Sequence, residues 1–148
     1  MFVVLTGSDC ANTLDPDNNK VWIAATNGLL YLDLSTNKIH PIKELNGVKT
    51  ITLLFDESSR TLWVGSYKGL YNIEPRLNKV RRVGAQAINE GGLASDVITG
   101  VLLGADNNIW VDTAKGLHYS SALDKSQPAT FTHLNKKLGL ANEQVFGN

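Results

Sequence analysis

The chain has 148 residues and a mass of 16.1 kDa, which suits one domain with a sizeable core. Lys plus Arg and Asp plus Glu both total 14, so no net charge attracts nucleic acid or an anionic membrane. The single cysteine, Cys10, excludes an intrachain disulfide and a cysteine-based metal site.

Two observations bear on the cellular compartment. No apolar run approaches the roughly 20 residues that a membrane helix needs. The first residues lack the basic lead and the apolar core of a signal peptide. The sequence therefore leaves open a cytoplasmic protein or an exported one whose signal has been removed.

A ten-residue motif occurs three times along the chain. The central copy, at 62–71, reads Leu-Trp-Val-Gly-Ser-Tyr-Lys-Gly-Leu-Tyr, and related copies occupy 21–30 and 109–118. All three tryptophans fall in the same slot of the motif, and the spacing between copies lies within the 20–50 residues typical of repeat architectures. The motif therefore predicts a repeat protein.

Each repeat divides into four short apolar segments separated by Asp, Asn, Ser, Pro and Gly. Segments of this length, rich in Val, Ile, Leu, Thr and aromatic residues, predict β-strands joined by tight turns. The predicted strands are 10–14, 21–25, 29–33 and 38–42, then 49–55, 61–66, 69–74 and 79–83, then 96–103, 109–113, 116–120 and 130–134.

The strand patterns indicate how these hairpins pack. The motif strand is apolar on both faces, so each small sheet must be covered on both sides. The fourth strands carry proline or alternating charge, as exposed edge strands do. The sequence therefore predicts an all-β fold with about three β-propeller blades of four antiparallel strands. We expect one domain over 1–148, with repeats at about 10–43, 48–84 and 96–135, and with 139–148 beginning a further blade.

The motif, the following Asn78-Lys79 turn and the run Gly-Leu-Ala-Ser-Asp-Val-Ile at 92–98 together resemble the two-component regulator propeller repeat. The resemblance covers about residues 14–148, with Ala24 and Asp112 in place of the motif glycine. Repeats of this family form the sensor propellers of transmembrane histidine kinases and diguanylate cyclases. The resemblance implies a noncatalytic, periplasmic or otherwise extracytoplasmic sensor segment without a cofactor, and a small-molecule or glycan ligand.

Three blades are fewer than the 4–8 of a typical propeller. Either the chain is part of a longer sensor, or several copies complete one ring. We therefore expect self-association or the remaining blades of a parent chain as partners, and no stable lone monomer.

The candidate binding residues lie on the rim that carries the second hairpin turns and the long connection between the second and third repeats. Binding loops concentrate at such positions. Tyr67 is the strongest candidate, because an exposed aromatic ring beside Lys68 can stack on a sugar or meet a partner. Each position can equally be a solvated loop residue. The candidates are Asn27, Tyr67, Lys68, Lys115 and Glu90, with Gln86 and Asn89 nearby.

The remaining motifs indicate structural roles and not catalytic or metal-binding ones. The tryptophans, one per repeat, predict packing between blades. Asp15, Asp17 and Asn19 imitate the start of a calcium loop but lack its glycine and its final glutamate, which predicts a turn and no metal. The three histidines have no metal-ligand spacing, and we expect His118 to be a partly buried core substitute.

No nucleophile elbow or phosphate-binding loop is present, so an enzyme is the minority interpretation. The alternatives to a sensor are a protein-interaction scaffold and a propeller lyase, which would need His and Glu converging near the axis. Asp112 occupies a slot where Ala24 and Gly65 pack, and a buried carboxylate there needs a polar partner such as Lys115 or an uncovered blade face.

Overall fold

The computed structural model describes residues 11–105, 107–120 and 129–134. The described residues form three antiparallel sheets of four strands each. Within each sheet, the strands lie side by side in their order along the chain. The first blade contains β1 (Asn12–Asp15), β2 (Lys20–Ala25), β3 (Gly28–Asp33) and β4 (Lys38–Pro41). The second contains β5 (Thr50–Asp56), β6 (Thr61–Ser66), β7 (Gly69–Glu74) and β8 (Lys79–Val83), and the third β9 (Ile98–Leu103), β10 (Ile109–Thr113), β11 (Gly116–Ser120) and β12 (Thr132–His133).

Neighbouring blades pack face to face. The first strand of the second blade contacts β1 and β2, and β9 contacts β5 and β6 in the same way. The strands that the sequence predicts as charged or proline-bearing edges are the outermost strands of their sheets. The predicted all-β fold with propeller blades is therefore confirmed.

The motif strand of the second blade occupies the centre of the described fold. All six residues of β6 are buried, since the strand is covered on both faces. Leu62 and Val64 pack with Trp22 between the first two blades. Trp63 faces the other way and packs with Ile98 and Ile109 of the third blade. Because successive side chains of a strand point to opposite faces of the sheet, β6 contributes to two separate interblade cores.

The tryptophans of the first two blades belong to these cores, with exposed fractions of 1% for Trp22 and 2% for Trp63. Burying a large apolar side chain stabilises a fold by roughly 1.5–3 kcal/mol, so each indole is a major contributor to blade packing. Trp110 is only half-buried, because its face of the third blade has no further blade against it within the described residues.

The close approach of the second and third blades requires Gly65. A Cβ at this position would overlap Thr52 Cγ2 and would lie 2.8 Å from Ile98 Cγ2. Glycine lets the first strand of the third blade rest directly on the backbone of β6.

Polar contacts join the first two blades at both rims. The Thr50 hydroxyl accepts from the backbone N–H of Ala25 (2.8 Å) and lies 2.8 Å from the carbonyl oxygen of Gly28, to which it donates. On the opposite rim, Arg60 forms an ion pair with Asp17 (3.2 Å).

Two short 3-10 turns, Lys43–Leu45 and Ile88–Glu90, lie in the connections between blades. The predicted extra blade at 139–148 lies outside the described residues, and the assignment of 1–148 to one domain stays a prediction.

Candidate functional site

An open pocket of about 400 Å³ lies beside the hairpin turn between β6 and β7. We call it the Tyr67 pocket. Three separate segments form its walls: the hairpin with the start of β7, the outer strand β8, and the connection that leads into β9. Its lining residues are Tyr67, Lys68, Tyr71, Arg82 and Asp96.

Tyr67 is held at the mouth of this pocket. Its backbone N–H donates to the carbonyl oxygen of Lys49 (3.0 Å), and Lys49 Nζ lies 4.9 Å from the centre of its ring. The side chain remains 48% exposed, so ring surface is left free for a ligand. Ser66 rigidifies the turn, because its Oγ accepts from the Lys68 N–H (3.1 Å) and donates to the carbonyl of Gly69 (2.8 Å).

Arg82 reaches the pocket from the outer strand of the same blade. Its Nε lies 2.6 Å from the point where a Cβ on Gly69 would stand, so the glycine makes room for the guanidinium. Arg82 Nη2 donates to Asp96 Oδ1 (2.8 Å), two residues before the third blade begins at Ile98. This ion pair therefore links the second blade to the entry of the third.

The structure brings two of the predicted site residues, Tyr67 and Lys68, into one pocket. Asn27 and Lys115 are exposed on the equivalent turns of the first and third blades, and Glu90 is exposed on a 3-10 turn. These three do not line the Tyr67 pocket. Whether any of the five binds a ligand stays a prediction.

Sequence reasoning missed Tyr71, Arg82 and Asp96. Arg82 belongs to a strand whose alternating charge indicates an exposed edge, and Asp96 is the first residue of a predicted strand. Tyr71 is the last residue of the repeated motif, where Leu30 and His118 stand in the other copies. No local pattern places these three positions together.

The long connection between the second and third blades is less open than the sequence suggests. The Gln86 side-chain amide donates to the carbonyl of Ala129, and the Phe131 N–H donates to the carbonyl of Gly91 (2.6 Å). The connection thus packs against the segment that leads into the outer strand of the third blade, although Asn89 and Glu90 remain exposed.

A second cavity, of about 260 Å³, lies against the Trp110 face of the third blade. Asp112 lines it and is 8% exposed. The Thr99 hydroxyl donates to Asp112 Oδ2 (3.0 Å), whereas Oδ1 has no partner among the described residues. Burial raises the pKa of the Asp112 carboxyl, and the Thr99 hydrogen bond opposes the shift. The polar partner of this carboxylate is Thr99 and not Lys115.

His118 is fully buried, contrary to the expected partial burial. Its Nε2 accepts from the Ala94 N–H (3.1 Å), and Nδ1 lies 3.2 Å from the carbonyl oxygen of Gly116, so the neutral ring satisfies both groups. The ring stacks on His133 of β12, with centroids 4.5 Å apart. Burial, together with the neighbouring His133, lowers the pKa of His118 to about 4.

Asp15 has a structural use in the turn that resembles a calcium loop. Its Oδ1 accepts from the backbone N–H groups of Asp17 (3.1 Å) and Asn18 (3.2 Å). Its Oδ2 accepts from Trp22 Nε1 (3.3 Å), which fixes the indole in the interblade core.

Within residues 11–105, 107–120 and 129–134, no three His, Cys, Asp or Glu side chains gather as metal ligands. In the same ranges, no helix has the length and apolar character needed to cross a membrane.

Comparison with solved structures relates this architecture to known proteins. The extracellular domain of BT4673 from B. thetaiotaomicron, described as a one component system, superposes with a TM-score of 0.64 at 21% identity over 83% of this chain. The extracellular domain of BT3049 from the same organism, described as a hybrid two component system, gives 0.57 at 21% identity over 83%. The chain shares the fold of a part of each of these extracellular domains.

A second structure of BT4673, described as a hybrid two component system, gives a TM-score of 0.59 at 17% identity over 77% of this chain. The chain spans only about 15% of the length of the first two structures and 14% of the third. No family model and no curated protein matches the sequence. At the level of the fold, the predicted resemblance to two-component regulator propeller repeats is confirmed.

Proposed function

We propose that the chain is a noncatalytic, extracytoplasmic segment of a sensor propeller. The observation that carries the proposal is the fold shared with extracellular domains of proteins described as one and two component systems. The chain spans about 15% of the length of those extracellular structures. In this proposal, the output domain, a kinase or a cyclase, belongs to a parent protein.

The segment contributes a binding surface at the Tyr67 pocket. The volume of about 400 Å³ lies within the 300–1,000 Å³ typical of small-ligand sites. The half-exposed ring of Tyr67 offers a stacking surface for a sugar or another flat ligand, and Lys68 supplies hydrogen-bond donors. A glycan fragment or another small molecule is therefore the proposed ligand.

A thermal-shift screen with oligosaccharides tests this function. At a ligand concentration of about 100 Kd, linkage raises the free energy of unfolding by about 2.7 kcal/mol. We expect an increase of several degrees in Tm, which Tyr67→Ala removes and Leu77→Ala keeps. Leu77 is the matched control, because it is an exposed apolar residue of the same blade outside the pocket. A screen without any shift would contradict ligand sensing and favour a protein-interaction scaffold.

We also propose that the segment acts together with further blades, either of a parent chain or of a second copy. The half-buried Trp110 and the 63% exposed Leu102 support this, because the equivalent indoles of the first two blades are almost fully buried. Light scattering tests the proposal. A monodisperse monomer of 16.1 kDa that unfolds cooperatively would contradict it.

A further inference from the structure

Positive charge surrounds the aromatic rings of the Tyr67 pocket. Lys68 and Arg82 line it, and the ammonium group of Lys49 lies over the Tyr67 ring. Asp96 is the one carboxylate among the lining residues. Three positive charges are thus opposed by a single negative charge, so the pocket favours an anionic ligand.

A ligand anion can replace the Asp96 carboxylate that forms the ion pair with Arg82. The side chain of Asp96 is 69% exposed and that of Arg82 is 40% exposed, so water reaches both partners of the ion pair. Exposed pairs of this kind are held weakly. A guanidinium donates two parallel hydrogen bonds most favourably to two oxygens of one planar or tetrahedral anion. A ligand carboxylate or sulfate provides such a pair of oxygens.

We propose that the Tyr67 pocket binds a ligand with a carboxylate or sulfate group, and that this group replaces Asp96 on Arg82. The inference rests on the proposed function of the pocket and names the chemical class of its ligand. Tyr67 then contacts the ring or chain that carries the anion, while Lys68 and Arg82 hold its oxygens.

Replacement of Asp96 by the ligand would affect the boundary between the second and third blades. Asp96 precedes Ile98 by two residues, and the Ile98 side chain packs on Gly65 in the second blade. When the ligand takes the place of Asp96, the connection into the third blade loses its ion pair to the second blade. Ligand binding is thereby coupled to the junction through which a sensor propeller can pass a signal.

Glucuronate and glucose form a matched pair of probes, because they differ in the carboxylate at C6. Their binding is followed through the backbone amide NMR signals of Lys68 and Asp96. We expect glucuronate to shift both signals saturably and glucose to leave them unchanged. Sodium sulfate, as an anion without a ring, should shift the Asp96 signal with lower affinity.

Variants assign the effect to the ion pair. Arg82→Gln should weaken glucuronate binding roughly tenfold, as expected when one charge-assisted hydrogen bond is lost. Asp96→Asn should strengthen binding, because it removes the competing carboxylate. Arg60→Gln is the control, since Arg60 also forms an exposed ion pair but lies on the opposite rim, and it should leave affinity unchanged.

Three results would overturn the inference. Equal binding of glucose and glucuronate, sensitive to Tyr67→Ala, would refute the anion requirement and leave the proposed binding function intact. Unchanged glucuronate affinity in both Arg82→Gln and Asp96→Asn would refute the exchange. An absence of shifts with glucuronate and sulfate would refute anion binding, while the oligosaccharide screen would decide the proposed function separately.

Discussion

Replacement of Gly65 by alanine tests whether the blades pack as closely as the structure indicates. The added Cβ would overlap Thr52 Cγ2 within the second blade and would lie 2.8 Å from Ile98 Cγ2 in the third. Contacts below 3.0 Å force a displacement, and both neighbours are β-branched side chains with restricted rotamers. The blade junction must therefore open or one side chain must leave its rotamer.

The expected magnitude follows from two opposed terms. Overpacking a close-packed site costs about 1–3 kcal/mol. Alanine in a strand is more favourable than glycine by roughly 0.5–1 kcal/mol, because the unfolded chain loses conformational freedom. We therefore expect Gly65→Ala to lower the free energy of unfolding by about 1–2 kcal/mol.

Gly100→Ala is the matched control. Gly100 also lies in a strand, but a Cβ there would meet only Asp112 Cβ, at an ordinary 3.6 Å. With no overpacking term, this variant should be neutral or stabilised by up to about 1 kcal/mol. Urea unfolding followed by tryptophan fluorescence compares the midpoints at equal slope. Equal midpoints for both glycine variants would refute the close approach.

A double-mutant cycle with Ile98→Ala then separates the two contacts. Ile98→Ala removes Cγ2 and alone should cost about 2–5 kcal/mol, because it leaves a cavity between the blades. In the Gly65→Ala background this cost should fall by about 1 kcal/mol, since the new methyl group enters the vacated space. Strictly additive changes would place the clash within the second blade, on Thr52, and not at the junction.

Three further predictions concern buried polar groups. Thr50→Val should destabilise the fold by about 1–2 kcal/mol in urea unfolding, because it leaves the Ala25 N–H without its hydroxyl acceptor. Since the pKa of His118 falls from 6.5 to about 4 on folding, the unfolded chain binds the proton first as pH drops. Stability should therefore decline between pH 6.5 and 4 by about 3 kcal/mol, and His118→Leu should flatten this slope in unfolding titrations. Burial raises the Asp112 pKa, so its carboxylate costs stability as pH rises, and Asp112→Asn should raise the urea midpoint at pH 7. A lower urea midpoint for Asp112→Asn would contradict this prediction, because it would mean that a further hydrogen-bond donor stabilises the Asp112 carboxylate.

Much of the fold could be predicted because the local patterns agree with the tertiary arrangement. The predicted strands 61–66 and 69–74 coincide with β6 and β7, since the glycine at position 69 and the apolar alternation specify both the turn and the faces. The predicted strand at 96–103 begins two residues early. Asp96 lies outside the sheet, where its carboxylate meets Arg82 instead of continuing the ladder.

The pocket could be predicted only in part, because its members come together through strand pairing and through a connection between blades. Tyr67 and Lys68 occupy a turn that the repeat itself identifies. Arg82 joins them because β8 pairs with β7 so that Arg82 lies opposite Tyr71. The stacked histidines have the same origin, since His118 and His133 become neighbours through the pairing of β11 with β12. Recognising such pairs requires the pairing register of the strands in addition to the positions of the residues along the chain.

Asp112 departs from the repeat, and this departure changes how closely another blade could pack on that face of the third blade. In the second blade, the equivalent position has no space even for a Cβ, because Thr52 and Ile98 both lie against Gly65. In the third blade the same slot holds a whole carboxylate, bonded to Thr99 through one oxygen. A blade that packed there as the third packs on the second would collide with this side chain. A further blade of the kind proposed above would therefore have to stand further out, or would have to donate a hydrogen bond to Asp112 Oδ1. Such an interface would consequently differ from the two junctions inside the described fold.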